Sequence, residues 1–120
     1  MMMLPRTLAE LKQAVARAYN VVNQEMYEIG VKRLRVDVAG NKIIILAEHR
    51  RIPGLKALDK VNRSITRLTD VALLDENKKR LKEQLETDLE IKIKTVLKDY
   101  DPEHEVAATV ALLYEPLDEG

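Results

Sequence analysis

The stretch GVKRLRVDVAGNKIIILAEHRR, residues 30–51, predicts a β-hairpin and decides how the rest of the chain is arranged. Apolar and polar side chains alternate over residues 31–38, which is the period of a strand with one wet face. Gly40 and Asn41 suit the turn, because this pair accepts a positive φ at little steric cost. Residues 43–47 form an unbroken apolar run, typical of a strand covered on both faces.

The composition describes one small domain without thiol chemistry. A chain of 120 residues can bury a core without disulfides, so we assign residues 1–120 to a single domain. It has no cysteine, which fits a reducing compartment. The start MMMLPRT lacks the pattern of a secretory signal, and no apolar run approaches the roughly 20 residues of a membrane-spanning helix. We therefore expect a cytoplasmic protein with no direct membrane insertion.

Charge and aromatic content argue against a nucleic-acid partner. The chain has 20 basic and 20 acidic side chains, so its formal charge is zero. The first 60 residues hold 11 basic and 6 acidic side chains, and the last 60 hold 9 and 14, an asymmetry compatible with self-complementary surfaces. Trp and Phe are absent, so the core must be aliphatic, and four tyrosines are the aromatic groups able to stack on bases.

An amphipathic helix precedes the hairpin. Thr7 and Glu10 fit a capping box, in which each side chain bonds to the backbone N–H of the other residue. Apolar residues then recur at spacings of three and four to about Glu28, which predicts a helix with one face toward the sheet. Gly30 is well placed to end it.

Two helices are predicted after the hairpin. Pro53 suits the first turn of a helix, where its missing N–H costs nothing. The helical period weakens over residues 66–70, which predicts a break with Thr69 or Asp70 as a new N-cap, followed by a helix over residues 71–87. The apolar period of the first of these helices consists of Leu55, Leu58, Val61, Ile65 and Leu68.

Two further strands follow, at residues 89–100 and 106–114, separated by the turn-forming sequence of residues 101–104. In the first of them, the alternation places Ile91, Ile93 and Leu97 on one side and Lys92, Lys94 and Lys98 on the other. The element order is therefore α-β-β-α-α-β-β. It predicts an α+β fold with a four-stranded, mainly antiparallel sheet and helices packed mainly on one face. Several strand orders are compatible with this pattern.

Three stretches resemble a known bacterial family. They are the hairpin strands VKRLRVDV and KIIILAE, the helix opening at Pro53, and LEIKIKTVLKDYDPEHEVAATVALL near the end of the chain. In order and spacing they resemble the C-subunit family of the Na+-translocating membrane-potential-generating system. The resemblance implies an accessory protein linked to ion or inorganic-carbon transport, with a membrane-transport protein as its partner. It implies no catalytic residues.

His49, Arg50 and Arg51 are the strongest candidate binding residues. Two guanidinium groups just before a helix N-terminus could hold a small anion, because the free N–H groups of the first turn point the same way. The simpler interpretation, which we weigh more heavily, is that they are solvated charges at the end of a strand.

Two other polar groupings favour simpler interpretations. A basic face would form if the strand with Arg33 and Arg35 adjoined the strand with the lysines at positions 92, 94 and 98. Such a face could bind nucleic acid, but the neutral charge of the chain fits a solvated sheet face better. The second grouping consists of Asp101, Glu103, His104 and Glu105. These residues could suggest a metal site, but they lack the pattern of an oxygen-ligand loop and fit a polar turn.

No catalytic signature is present in the sequence, and we assign no catalytic residue, no metal and no cofactor. We therefore predict a non-enzymatic accessory or interaction module. The alternative is a small-anion or ligand-sensing domain that uses the basic strand-to-helix loop. A hydrolase would need a pocket with strongly perturbed carboxylates.

Self-association is the last prediction. Both apolar strands, residues 43–47 and 106–113, present aliphatic side chains to both faces of the sheet. Three helical segments are few to cover two faces, so one face is left with an apolar strip, and such patches usually mark interfaces. We expect an isologous homodimer that buries this strip or an adjacent edge strand. The alternative is a monomer in which one middle helix crosses to the second face.

Overall fold

Helices lie on one side of a four-stranded sheet in the computed structural model, which describes residues 7–117. The elements are α1 (Leu8–Tyr27), β1 (Val31–Ala39), β2 (Lys42–His49), α2 (Pro53–Asp59), α3 (Arg63–Leu89), β3 (Ile93–Asp101) and β4 (Val106–Leu113). The predicted α+β fold and its α-β-β-α-α-β-β order are confirmed.

All strand pairs are antiparallel, in the order β1-β2-β4-β3. The hairpin turn lies where the sequence predicts it, with Gly40 at φ 61°. Because β1 and β3 occupy opposite edges of the sheet, Arg33 and Arg35 do not adjoin the lysines of β3. The condition for one basic face built from both strands is therefore not met.

The core lies between the sheet and the helices α1 and α3, which pack on one of its faces. The inward residues of the two central strands are fully buried there: Ile43, Ile45, Ala47, Ala107, Thr109, Ala111 and Leu113. Their neighbours along each strand point to the other face, which no helix of residues 7–117 covers. Within the same residues, no helix has the length and apolar character that a membrane crossing requires.

A β-bulge changes the alternation of β3. The step from Ile93 to Thr95 on β3 faces the single step from Leu113 to Leu112 on β4, so Lys94 is an extra residue in β3. Beyond a bulge, the side chains that face each side of the sheet exchange places. The predicted alternation of this strand is therefore wrong past residue 94.

The consequence is that Val96, Lys98 and Tyr100 face the helices, whereas Leu97 is 55% exposed on the open face. The strand also begins later than predicted. Helix α3 continues to Leu89, and Glu90 ends it in the left-handed conformation.

The helix boundaries follow the side chains that cap them. The capping box of Thr7 and Glu10 is confirmed, although Glu28 rather than Gly30 takes the left-handed conformation at the end of α1. The break between α2 and α3 lies at residues 60–62, because Asn62 accepts a hydrogen bond from the backbone N–H of Ile65.

Neither residue predicted to cap a helix near position 70 does so. The Thr69 hydroxyl donates to the carbonyl of Ile65 one turn earlier, and the Asp70 carboxylate binds Arg51 and Arg63. The predicted break near Thr69 and Asp70 is therefore wrong, and α3 runs through it as one helix.

Candidate functional site

A pocket of about 60 Å³ lies where the end of α1 and the first half of α3 meet the sheet. Since a water molecule needs roughly 10–15 Å³ of such space, the pocket has room for a small molecule rather than a large cofactor. Its apolar wall is formed by Ile29, Ile52, Leu55, Leu73, Leu74 and Ala107. Its polar lining is formed by Asn23, Tyr27, His49, Arg50, Arg51, Asp70, Lys98 and Tyr100.

Lys98 reaches this pocket because the bulge in β3 turns it inward. Its Nζ donates to Asn77 Oδ1 at 2.7 Å and to the Tyr19 hydroxyl at 3.1 Å, and it lies 4.7 Å from the centre of the Tyr19 ring. Among residues 7–117, no carboxylate forms an ion pair with Lys98. Burial lowers the pKa of Lys98 to about 8. At neutral pH the pocket therefore contains a buried ammonium group whose partners are all neutral.

His49 is the neutral end of the same hydrogen-bond chain. The Tyr19 hydroxyl accepts from Lys98 Nζ, and its oxygen lies 2.5 Å from His49 Nε2. Burial, assisted by the charge of Lys98, lowers the pKa of His49 to about 4. The rings of Tyr27 and Tyr100 meet the imidazole edge-on at 6.5 and 6.1 Å. His49 is thus an uncharged, aromatic part of the pocket wall.

Arg51 also lines the pocket, but its charge is balanced. Its guanidinium group is 3% exposed and bonds to Asp59 at 2.9 Å and to Asp70 at 2.6 Å. Burial disfavours the charge of Arg51, but the hydrogen bonds to both carboxylates outweigh it and raise the pKa. Arg63 contacts the same two carboxylates, so two cations meet two anions.

The structure brings the three residues singled out in the sequence together at the pocket, each in a different state. His49 is neutral, Arg51 is paired with carboxylates, and Arg50 is exposed at the rim. Helix α2, which follows them, has seven residues and no side-chain cap. Anion binding by this loop stays a prediction, and Lys98 is the buried cation that the sequence interpretation left out.

Asn23 adds an unsatisfied polar group to the pocket wall. The residue is 2% exposed, and its amide nitrogen donates to the carbonyl of Ile29 at 2.6 Å. Its Oδ1 has no hydrogen-bond partner. Buried polar atoms are usually paired, because leaving one unpaired costs about 1–3 kcal/mol. This oxygen is itself shielded, with less than 1 Å² of accessible surface.

The polar turn between β3 and β4 lies outside the pocket. The Asp101 carboxylate accepts hydrogen bonds from the backbone N–H groups of Glu103 and His104, and it lies 2.9 Å from His104 Nδ1. The hydrogen bond and charge of Asp101 raise the pKa of His104. The side chains of Asp101, Glu103 and His104 are exposed and lie within 4.8 Å of one another, and the Asp101 carboxylate orders the turn.

Sequence reasoning missed most of this site. Tyr19, Asn23 and Tyr27 lie four residues apart on one face of α1, and this spacing of polar-tipped residues was the available signal. Lys98 gave no such signal, because only the bulge places it inside. No family model, no curated protein and no solved structure matches this chain, so the chemistry of the site rests on its geometry.

Proposed function

We propose that this chain is a ligand-binding domain for a small organic anion, held in the pocket by Lys98. The observation that carries the proposal is the buried ammonium group without a carboxylate partner in the described residues. Removing a charge from water is costly unless it is paired, so an anionic ligand would supply the missing counter-charge. The proposal keeps the anion-sensing alternative drawn from the sequence but makes Lys98, rather than Arg51, the main anchor.

The lining of the pocket narrows the ligand class. The apolar wall of Ile52, Leu55 and Leu73 favours a short hydrocarbon part. We therefore infer a short-chain carboxylate.

Binding without catalysis is part of the proposal. The hydrogen-bonded pair with the geometry of a nucleophile and a base consists of Tyr19 and His49. Burial and the neighbouring Tyr27 raise the pKa of Tyr19, so its hydroxyl stays protonated at neutral pH. The hydroxyl connects Lys98 with His49 and keeps its proton.

The test is calorimetric titration with lactate, alanine, pyruvate, inorganic phosphate and bicarbonate. We expect saturable binding of at least one organic acid, at least tenfold weaker in Lys98→Met. Lys94→Met is the matched control, because it removes an exposed lysine from the same strand, and it should bind as the wild type does. No saturable binding, or equal binding by Lys98→Met, would refute the proposal. Loss of binding in Arg50→Ala, together with normal binding by Lys98→Met, would instead support anion binding by the strand-to-helix loop.

A second proposal is the accessory role in an ion or inorganic-carbon transport system, including a homodimer and a membrane-transport partner. What favours it is the sheet face that no helix of residues 7–117 covers, together with the resemblance of the three sequence stretches. The test is co-purification with a component of such a transporter. Leu46→Glu, which breaks the homodimer, should abolish it, whereas Lys98→Met in the pocket should leave it intact; the opposite pattern would contradict the role.

A further inference from the structure

The open face of the sheet has an apolar centre. Leu46 on β2 is 46% exposed, Val106 on β4 is 38% exposed and Leu97 on β3 is 55% exposed. Between them lie Ala108 and Val110 of β4, so the apolar side chains form one continuous area across three strands. Large exposed apolar areas on a small protein usually mark an interface.

The two edges of this face differ in charge: β1 carries two arginines and Asp37, whereas β3 carries two aspartates. Arg33 and Arg35 project from β1 at one edge, with side chains that are 81% and 76% exposed. Asp99 and Asp101 occupy the corresponding positions on β3 at the other edge. The Arg33 and Arg35 guanidiniums lie 3.8 and 3.5 Å from carboxylates of their own chain, longer than a strong ionic hydrogen bond. Both arginines therefore remain able to pair elsewhere.

The strand register aligns these charges in rows. Arg35 is opposite Leu46, Leu46 is opposite Ala108, and Ala108 is opposite Asp99. One row across the sheet thus begins with a cation, passes through apolar side chains and ends with an anion. The neighbouring row runs from Arg33 through Glu48 and Val106 to Asp101, so an anion already stands beside its cation.

We propose that a second copy of this chain packs on the open face, with the two-fold axis parallel to the strands. Such an axis places β1 of one copy over β3 of the other and leaves each row at the same position along the strand direction. Arg35 then faces the partner's Asp99. An in-plane axis perpendicular to the strands would stack β1 on β1 and bring arginines against arginines. Charge complementarity therefore selects the first arrangement.

The dimensions fit this arrangement. Packed sheets lie about 10 Å apart, a distance that an arginine and an aspartate side chain can bridge together. Asp101 is the weaker partner, because both of its carboxylate oxygens are engaged within its own turn, whereas one oxygen of Asp99 accepts a hydrogen bond, from the backbone N–H of Tyr100. The pair of Arg35 with the partner's Asp99 is therefore the critical one.

The size of the face sets the expected affinity. Four strands about 4.8 Å apart and about 26 Å long present roughly 500 Å² on each copy, which is at the small end of specific interfaces. We therefore expect a reversible dimer rather than an obligate one. The inference is independent of the pocket, because Lys98 lies on the other face.

Sedimentation velocity over about 5–500 µM protein tests the proposal. We expect the mass to rise from 13.7 kDa to twice that value. Leu46→Glu should remove the dimer. Leu68→Glu is its matched control, because Leu68 is an exposed leucine on α3, away from the sheet face, and it should leave the dimer intact. A mass of 13.7 kDa at every concentration, or dissociation by Leu68→Glu alone, would overturn the proposal.

Charge exchange tests the orientation of the axis. Arg35→Asp and Asp99→Arg should each weaken the dimer at least tenfold, because each places like charges opposite one another. The double variant Arg35→Asp/Asp99→Arg restores opposite charges and should recover the wild-type dissociation constant. Arg67→Asp, which makes the same charge change at an exposed site on α3, should have no effect. A double variant no stronger than the single ones would overturn the proposal, provided that circular dichroism shows each variant folded.

Discussion

Replacing Lys98 with methionine gives a sharp test of the buried ammonium group. Burial lowers the pKa of Lys98 from 10.5 to about 8. At about 1.36 kcal/mol for each pKa unit, that difference makes the folded state about 3.4 kcal/mol less stable whenever the amine is protonated in both states. This destabilisation of the folded state is largest below pH 8.

The sign of the pH dependence follows from proton binding. Between pH 8 and pH 10.5 the unfolded chain holds the Lys98 proton more tightly than the folded chain does, so the free energy of unfolding rises with pH. Over the interval from pH 7 to pH 10, the contribution of Lys98 amounts to about 2.5 kcal/mol in favour of folding.

The Lys98→Met variant lacks both the penalty and two hydrogen bonds. The bonds to Asn77 and Tyr19 contribute about 1 kcal/mol each. We therefore expect the variant to be about 1 kcal/mol more stable than the wild type at pH 7 and about 1 kcal/mol less stable at pH 10.

Urea unfolding, followed by circular dichroism at both pH values, measures this reversal. Other titrating groups are common to both proteins, so the difference between them isolates Lys98. Lys94→Met, at an exposed position of the same strand, should follow the wild type at both pH values. A stability difference between Lys98→Met and wild type that is the same at pH 7 and pH 10 would refute the reasoning.

Three further predictions concern stability, each measured as the free energy of urea unfolding. Arg51→Met should cost about 3 kcal/mol, because it removes the buried cation and leaves Asp59 and Asp70 facing the half-exposed Arg63. The exposed Arg50→Met should change stability little, and equal effects would contradict this account. Asn62→Ala should cost about 1 kcal/mol by removing the N-cap of α3; no loss would show that the cap is not formed. Gly40→Ala should cost about 1 kcal/mol because φ is 61° there. Gly54→Ala, in open space within α2, should be neutral or stabilising.

Local rules predicted most of the elements because the determining contacts lie a few residues apart. The capping box of Thr7 and Glu10 and the turn at Gly40 each depend on residues within one turn of chain. The break near residue 70 was wrong for the opposite reason. Asp70 has the composition of an N-cap, but its carboxylate binds Arg51, which lies 19 residues earlier in the sequence.

The local sequence also did not predict which apolar side chains of the middle segment are exposed. The apolar spacing that includes Val61 and Leu68 is typical of a buried helix face. In the fold these side chains are 79% and 74% exposed. Periodicity shows that a face is apolar, but the partner that covers it depends on how the sheet ends relative to the helix.

The sequence predicted the loop residues of the site but not Lys98, the residue proposed to hold the anion. The sequence singled out His49, Arg50 and Arg51, and all three line the pocket. Lys98 was placed on the solvated face, because a strict two-residue period puts it opposite Ile93. A single extra residue at Lys94 exchanges the two faces, and nothing in the local sequence distinguishes a regular strand from one with a bulge there.

The cost of Lys98 connects the fold to the proposed binding role. Leu81, Leu85 and Leu89 on α3 are buried and stabilise the domain without help from the pocket. Lys98 does the opposite, since its protonated form is costly in the ligand-free chain. An anion beside it would offset that cost only while the amine is protonated. The proposed affinity should therefore be highest below pH 8 and fall as the pH rises through that value. Protonation of Lys98 therefore lowers the stability of the ligand-free domain and raises its affinity for an anion.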